Sequence, residues 1–344
     1  MRTELTERQK FILTLVIHEY VRTAQPVGSK SLVKRYQLDL SPATVRNEMA
    51  ALTEMGLLRT QDGRIPTEEG YRFFVGRLMQ ESDLPDTQRR TIRHQFHQMR
   101  TEVEEWVKLA ASVAAHQSRA ASLVTAPHPQ QALLKHLELI STRGRQVLMI
   151  IVLMGGEVRQ KLVALDEAAP QDALSSAADR ISRQFQGRDA AALRSANLNE
   201  LDPLERQVCA WAAEDLAQTD DIATGDIILD GLSNVLAEPE FSASEDARRA
   251  LRLLEEKTVL QDLLTRTSAG GETVGGVQVL IGGEGSLDEL RPWSFVLARY
   301  GTPGLATGTL GVLGPVRMSY GRTISVVRFL SGIMSDLVSE TLAD

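Results

Sequence analysis

The sequence predicts an α+β protein that begins with a winged helix-turn-helix. Capped helical segments and a short hairpin occupy the first 80 residues, and glycine-bounded apolar runs further along read as strands. About fifty alanine-rich helical residues separate two groups of these runs. The predicted divisions are a winged helix-turn-helix at 1–81, a linker and connecting helix at 82–119, an α+β domain at 120–171 and 224–344, and an inserted helical domain at 172–223.

Two helices open the chain. Thr6 and Gln9 have the spacing of a capping box, and apolar residues follow at helical intervals until about Thr23. Pro26 interrupts the pattern, because the residue before a proline is biased towards an extended conformation. Ser29 is then predicted to cap a short second helix.

The third helix has the strongest start signal in the sequence. Ser41 is a good N-cap, Pro42 suits the first helical position, and Gly56 suits a left-handed C-terminal residue. Residues 57–60 and 64–65 then read as two strands joined by an Asp62-Gly63 turn. Three helices, a hairpin and a further helix from Thr67 predict the winged helix-turn-helix.

The charge distribution favours a polyanion partner for this N-terminal part. The whole chain has a net charge of −7, whereas residues 1–80 hold 12 Lys/Arg against 9 Asp/Glu, a net charge of +3. The other 264 residues hold 26 Lys/Arg against 36 Asp/Glu, a net charge of −10. A capped helix after a tight helix-turn, followed by a basic hairpin in this net-positive segment, therefore predicts binding to duplex DNA.

The predicted DNA contacts lie on two helices and the wing. Arg46 can bond the guanine O6/N7 edge and Asn47 the adenine N6/N7 edge in the major groove, while Thr44 can contact a thymine methyl or a phosphate. The start of the second helix is expected to contact the DNA backbone, and the hairpin to lie over neighbouring phosphates or the minor groove. The complete set of predicted contact residues is Ser29, Lys30, Ser41, Thr44, Arg46, Asn47, Arg59, Gln61 and Arg64.

Composition argues for a cytoplasmic protein. The single cysteine, Cys209, cannot form an internal disulfide or supply a structural zinc site. No apolar run has the roughly 18 residues of a membrane span, and residues 1–10 are polar, unlike a secretory signal. We therefore expect neither export nor a membrane partner.

The sequence contains partial matches to several enzyme motifs, and each lacks residues that the motif requires. Ser31 and Lys34 have a Ser-x-x-Lys spacing without its partner motifs, and His18-Glu19 starts a zincin pattern that the chain does not continue. His94 and His97 have no completing ligands nearby. The glycines at 282–285 lack the third glycine of a dinucleotide fingerprint, so turn glycines are favoured. We expect no catalytic residue, cofactor or metal site.

The region after residue 120 predicts a mixed domain. Runs around 137–139, 147–154 and 158–165 have the pattern of an antiparallel meander. Further elements are predicted as a strand at 226–229, a helix at 244–267, strands near 277–281, 294–300 and 308–312, and a closing helix at 323–342. An apolar sheet with helical cover could hold a small effector, although no residue identifies such a site.

A series of ordered motifs resembles the heat-inducible transcription repressor HrcA family. The matching segments are LTERQ at 5–9, PVGS at 26–29, SPATVRNEM at 41–49, GRIPT at 63–67, GYRF at 70–73, GLSN at 231–234, PEF at 239–241, IGGE at 281–284 and LGVLGPVRMSY at 310–320. Two positions depart from the family pattern: the wing at 60–63 is shorter than usual, and Gly285 replaces a common asparagine.

The resemblance implies a cytoplasmic bacterial repressor with a GAF-like domain and an inserted dimerisation domain. It further implies a homodimer that binds an inverted-repeat operator, CIRCE, upstream of chaperone operons, and a GroE-type chaperonin that keeps the repressor active. A twofold dimer would present two recognition helices to two half-sites. The alternative is a winged-helix regulator whose GAF-like domain senses a small molecule.

Overall fold

A computed structural model describes most of the chain. The described residues are 4–79, 83–99, 102–128, 132–154, 156, 158–195, 201–221, 227–241, 276–282, 291–303 and 305–342. The chain forms two compact units. Unit 1 comprises Met1–Thr125, Ile227–Arg299 and Thr309–Met334, and unit 2 comprises Ala126–Asp226, Tyr300–Gly308 and Ser335–Asp344.

Unit 1 begins with a winged helix-turn-helix, which confirms the predicted N-terminal fold. Its elements are α1 Glu7–Thr23, α2 Ser29–Tyr36, α3 Pro42–Glu54, β1 Leu58–Thr60, β2 Arg64–Pro66, α4 Glu68–Phe73 and a π-helical turn Phe74–Leu78. The capping box is present, because the Gln9 N–H donates to the Thr6 hydroxyl at 3.2 Å and the Thr6 N–H donates to the Gln9 side chain at 3.0 Å. The start of α2 differs from prediction by one residue: Gly28 is the N-cap and Ser29 is the first helical residue.

The wing is a two-stranded sheet with one bridge to the segment before α2. β1 and β2 pair antiparallel, with Arg59 opposite Ile65. Val27, in the segment between α1 and α2, forms an isolated bridge with Arg64, and the two residues exchange both backbone hydrogen bonds at 2.9 Å. The predicted turn is confirmed, with Asp62 left-handed at φ 48°. A Cβ on Gly63 would lie 2.8 Å from the Pro26 Cβ, so this position requires glycine.

Two helices occupy the place of the single predicted connecting helix. They are α5 Asp86–Gln98 and α6 Val103–Ser118. Met99 and Glu102 leave the helical region, with φ/ψ values of −110°/26° and −129°/124°. The apolar periodicity that suggested one helix is preserved on both sides of this break, which explains the misassignment.

The second part of unit 1 is a five-stranded sheet covered by helices, which confirms the α+β class. The elements are β3 Ala121–Thr125, β7 Ile227–Asp230, α10 Leu232–Leu236, β8 Val277–Ile281, β9 Trp293–Thr302, β10 Ala306–Pro315 and α11 Tyr320–Leu342, with strand order β7-β3-β10-β9-β8. Of these residues, only those of Tyr300–Gly308 and Ser335–Asp344 belong to unit 2. The strands predicted near 226–229, 277–281, 294–300 and 308–312 are therefore confirmed. A Cβ on Gly311 would lie 2.3 Å from the Leu297 side chain, so this glycine permits close strand packing.

Unit 2 has a sheet and core of its own. Its elements are β4 Leu134–Arg143, β5 Gln146–Leu153, β6 Val158–Ala164, α7 Gln171–Phe185, α8 Ala190–Arg194 and α9 Pro203–Asp221. The three strands form the predicted antiparallel meander, in the order β4-β5-β6. Alternate residues of β5 are buried in one cluster with Leu174, Ile181 and Val208 of the helices.

This arrangement differs from the predicted boundaries. The sequence pattern predicts 120–171 as part of the larger α+β domain and only 172–223 as the insertion. In the structure the meander does not join the five-stranded sheet, and the compact segment runs from Ala126 to Asp226. Alternation of apolar residues indicates that one strand face is buried, but it does not indicate which helices cover that face.

Two further predictions concern a helix at 244–267 and the absence of a membrane span. The helix expected at 244–267 lies outside the described residues. Among the residues that are described, no helix is long and apolar enough to cross a membrane.

Gly70→Ala is expected to lower the free energy of unfolding of the winged helix-turn-helix by roughly 1–3 kcal/mol. A Cβ at this position would lie 2.2 Å from the Leu57 carbonyl oxygen, so the backbone leading into β1 must shift. Gly76→Ala is the matched control, because a Cβ there meets nothing within 4 Å. Urea denaturation followed by circular dichroism measures the difference, and equal stability of the two variants would contradict the prediction.

Candidate nucleic-acid interface

Packing of α3 determines which of its side chains face solvent. Val45, Met49 and Leu52 are buried, with exposures of 0%, 2% and 0%. The other face of the helix presents Arg46 and Asn47, and both are exposed. Neither side chain forms a hydrogen bond or ion pair within the described part of the chain. A guanidinium and an amide therefore stand free on one accessible helix face, as direct reading of base edges requires.

The start of α3 is held by its cap. The Thr44 N–H donates to the Ser41 hydroxyl at 3.0 Å, and the two side-chain hydroxyl oxygens lie 2.9 Å apart. Ser41 is exposed and Thr44 is half-buried. Ser41 and Thr44, both predicted DNA contacts, therefore also form the N-terminal cap of α3. Their hydroxyls lie at the electropositive end of α3, which favours a phosphate.

The start of α2 presents one of its two predicted contact residues. Lys30 is exposed, whereas Ser29 is buried with only 8% exposure. A side-chain contact from Ser29 to a phosphate is thus not supported by its position. Its neighbour Ser31 donates its hydroxyl proton to the Gly28 carbonyl at 2.7 Å, an ordinary helix-start contact and not one with Lys34.

The wing presents Arg59 and Gln61 to solvent. Arg64 is half-buried, and its Nη1 donates to the Thr60 hydroxyl at 2.6 Å. Arg64 is thus oriented along the hairpin, while Arg59 and Gln61 are the more accessible of the three predicted wing contacts.

A charge network that the sequence analysis did not identify orients α2 against α1. The Glu19 carboxylate accepts from Arg22 at 2.7 Å, pairs with Arg35 at 3.1 Å and accepts from the Tyr36 hydroxyl at 3.3 Å. The hydrogen bond from Arg22 lowers the pKa of Glu19 below its ordinary value, although partial burial opposes this. Only the spacing of Glu19 and Arg22 was available from the sequence, because the other partners lie on the next helix.

The histidine and glycine motifs form no catalytic or metal arrangement in the described part of the chain. His18 packs edge-on against Phe74 at 5.6 Å, and burial lowers its pKa. No group of three or more His, Cys, Asp or Glu side chains that could hold a metal is found among the described residues. Of the glycines at 282–285 only Gly282 is described, and a Cβ there would lie 2.4 Å from the Glu68 carboxylate.

A cavity of about 570 Å³ lies where α1, the π-helical turn and the start of α11 meet. Its volume lies in the range of small-molecule sites. Ile17, Phe74 and Met318 supply apolar lining, and His18 and Ser319 supply polar groups. The alternative hypothesis of a small-molecule sensor expects a ligand between the sheet and its covering helices. This cavity does not lie there, because α1 and the π-helical turn form part of its wall.

Comparison with known families gives two matches that together span most of the chain. Residues 4–76 match the winged helix-turn-helix transcription repressor, HrcA DNA-binding family, and residues 104–324 match the HrcA protein C-terminal domain family. The chain belongs to the HrcA family. Its candidate interface lies within the segment that matches the DNA-binding part of HrcA.

Individual HrcA relatives align over almost the full chain. The heat-inducible transcription repressor HrcA of Roseiflexus castenholzii is 45% identical, with 99% of this chain and 96% of the relative covered. That of Chloroflexus aurantiacus is 40% identical, with 99% and 95% covered. A crystal structure of a protein described only as hypothetical shares the fold, with a TM-score of 0.58, 19% identity, and 98% and 100% of the two chains covered. HrcA is thus a family of transcription repressors, which is not a class of enzymes.

Glu19→Gln is expected to destabilise the winged helix-turn-helix by about 1 kcal/mol at pH 7, because it leaves Arg22 and Arg35 without a charged partner. A carboxylate whose pKa is lowered on folding stabilises the protein above its unfolded pKa, about 4.3, and that stabilisation is lost as pH falls through the folded pKa. The difference from wild type should therefore shrink below about pH 4.

Thermal unfolding of both proteins between pH 3.5 and 7 measures this effect. Glu54→Gln, at an exposed position at the end of α3, is the control and should change stability little at any pH. A stability difference for Glu19→Gln that grows as pH falls would contradict the assigned role.

Proposed function

We propose that this chain is a cytoplasmic homodimeric repressor that binds an inverted-repeat operator of the CIRCE type upstream of chaperone genes. The observation that carries the proposal is that Arg46 and Asn47 on α3 are exposed and bond no other residue that the structure describes. Both side chains belong to a capped helix in the segment that matches the HrcA DNA-binding family. The named relatives are heat-inducible transcription repressors.

In this proposal α3 enters the major groove. Arg46 donates to guanine O6/N7 and Asn47 bonds adenine N6/N7, which gives sequence discrimination. Lys30, Ser41 and Thr44 contact phosphates and set the register, as do Arg59, Gln61 and Arg64 of the wing. Ser29 contributes through its backbone N–H at the start of α2, since its side chain is buried.

Two half-sites require two copies of the chain, and we assign their contact to the outer face of the β4-β5-β6 sheet. Ile140, Leu148 and Leu162 form one row of paired residues across this face, and Val152 and Val158 form another. Ile140, Val158 and Leu162 are 41%, 55% and 56% exposed. A row of Glu138, Ile150 and Gln160 lies between them, so exposed aliphatic side chains alternate with a few polar groups. Exposed aliphatic side chains grouped in this way are typical of interfaces between subunits.

The helices of the same unit are less suited to self-association. None of the exposed large hydrophobic residues in the described chain lies on α7, α8 or α9. The described parts of the predicted dimerisation segment 172–223, at 172–195 and 201–217, therefore present few large apolar side chains to solvent. We propose like-on-like packing of the sheet faces of two copies, which forms a closed twofold dimer.

We also propose that a GroE-type chaperonin keeps the repressor active. The support is the family resemblance together with a simple competition: heat generates unfolded clients that occupy the chaperonin, active repressor declines, and chaperone genes are expressed. A mobility-shift assay on an inverted-repeat operator, with and without chaperonin, tests this. Identical shifts in both conditions would remove the chaperonin from the proposal.

Arg46→Ala and Asn47→Ala are each expected to weaken specific operator binding by roughly 1–3 kcal/mol, because each removes a contact to a base edge. Stability should change little, since both residues are exposed. Arg194→Ala is the matched control, because it removes an exposed arginine from α8 of unit 2. Footprinting by folded Arg46 and Asn47 variants that matches wild type would refute the assignment of α3 as the recognition helix.

Leu162→Asp is expected to raise the dissociation constant of the dimer at least ~10-fold, because it places an unpaired charge in an apolar contact. Ala210→Asp is the control, since it adds the same charge at an exposed position of α9. Analytical ultracentrifugation of both variants decides between the surfaces. Dissociation caused by Ala210→Asp alone would assign the contact to the helical segment 172–223.

A further inference from the structure

Arg317 joins the five-stranded sheet to the winged helix-turn-helix within unit 1. The residue lies just after β10, and its side chain is only 11% exposed. Its Nη2 donates to the Glu240 carboxylate at 3.0 Å, and it also forms ion pairs with Glu238 and Glu240 through closer contacts. Its Nη1 donates to the Val21 carbonyl at 3.2 Å, across 296 positions of sequence.

The Val21 carbonyl is a group that α1 cannot satisfy alone. It lies in the last turn of this helix, where carbonyls lack intrahelical donors and the helix dipole favours a cation. The Ala24 N–H bonds Tyr20, and the Gln25 N–H bonds the Thr23 hydroxyl, so neither serves Val21. Arg317 thus caps α1 from a domain that is remote in sequence.

Two neighbouring contacts join the same two parts of the unit. Arg72 of α4 donates through Nη2 to the Ile281 carbonyl at 2.8 Å, at the end of β8. The rings of Tyr71 and Tyr320 lie 5.8 Å apart, and these side chains are 1% and 2% exposed. The winged helix-turn-helix therefore contacts the sheet part of unit 1 at two places, the end of α1 and along α4.

These contacts restrict the movement of the winged helix-turn-helix relative to the five-stranded sheet within unit 1. Arg317 carries two carboxylate partners and a carbonyl in a site that is mostly shielded from water, so its hydrogen bonds are charge-assisted. Glu238 and Glu240 lie in the same part of the unit as Arg317 and hold its guanidinium in place. Separation of the two parts would therefore remove the charge-assisted hydrogen bond to the Val21 carbonyl and leave that helix-end carbonyl without its donor. Because α1 packs directly on α3, its position determines the direction in which the recognition helix points.

We propose that Arg317 is a positioning residue for DNA binding, which orients the winged helix-turn-helix so that a dimer can engage both half-sites at once. The inference rests on the proposed function. Arg317 contacts no base in this scheme, and α3 reads a single half-site without it. The second half-site is bound intramolecularly, and the gain from that step depends on how well the second recognition helix is oriented.

The test compares one duplex that holds a single half-site with one that holds the full inverted repeat. Arg317→Ala is expected to bind the half-site within about twofold of wild type and the full repeat on the order of 10-fold more weakly. Arg317→Lys keeps a cation that can reach Val21 or a carboxylate but loses the paired geometry, so an intermediate affinity for the full repeat is expected. Arg194→Ala should leave both affinities unchanged.

A second readout does not involve DNA. Hydrogen exchange of the backbone amides at the end of α1 should accelerate in Arg317→Ala, whereas the amides of α3 should keep their wild-type protection. This pattern distinguishes loss of the Arg317–Val21 contact from general unfolding, which would increase exchange in both α1 and α3.

Several outcomes would overturn the inference. Equal losses on the half-site and on the full repeat would assign Arg317 to general stability, and unchanged or tighter binding of the full repeat would exclude a positioning role. If wild type binds the repeat and Arg317→Ala binds it equally well, only the role of Arg317 fails. If wild type ignores the repeat altogether, the proposed function fails first and the role of Arg317 in DNA binding fails with it.

Discussion

Burial of Val45, Met49 and Leu52 is the constraint on which the rest of the interface depends. These residues lie on one face of α3, and their packing against α1 and α2 leaves a single orientation of the helix in which all three avoid water. Arg46 and Asn47 face solvent as a geometrical consequence. No specific interaction has to hold either side chain outward, so both are available for a partner.

Much of the N-terminal fold was predictable because its determinants are local. A capping box, a proline at the first helical position and an Asp62-Gly63 turn each depend on interactions within about four residues. The face that α3 exposes follows from helical periodicity, so Arg46 and Asn47 were correctly expected on an accessible surface. The error at Ser29 arose from a one-residue shift of the cap, which turned an expected surface side chain inward.

The features that escaped prediction depend on contacts distant in sequence. The meander could have extended the larger sheet, and nothing in its alternating pattern distinguished that arrangement from a separate core with α7 and α9. Glu19 meets Arg35 on another helix, and Arg317 meets Val21 from the far end of the chain. A single sequence gives the chemical character of such residues but not their partners.

The proposed DNA-binding surface and the proposed dimerisation surface differ in chemical character. The N-terminal surface offers unpaired cationic and amide groups, which lose little by replacing water with phosphate and base edges. The outer face of β4, β5 and β6 is rich in exposed aliphatic side chains, and the Glu138 carboxylate lies between its two aliphatic rows, next to a position where a polyanion would have to bind. Each surface therefore suits one kind of macromolecule and disfavours the other.

The pairing of Val27 with Arg64 has a consequence for how such repressors diverge. It holds the turn end of the hairpin, because Arg64 directly follows the turn and lies opposite Thr60, and Gly63 beside it packs against Pro26. Only Gln61 and Asp62 of the turn are exposed and free of this contact. A lineage that lengthens its wing therefore has to insert residues there and preserve the pairing that follows, so that the reach towards phosphates changes while the reading of bases is inherited intact.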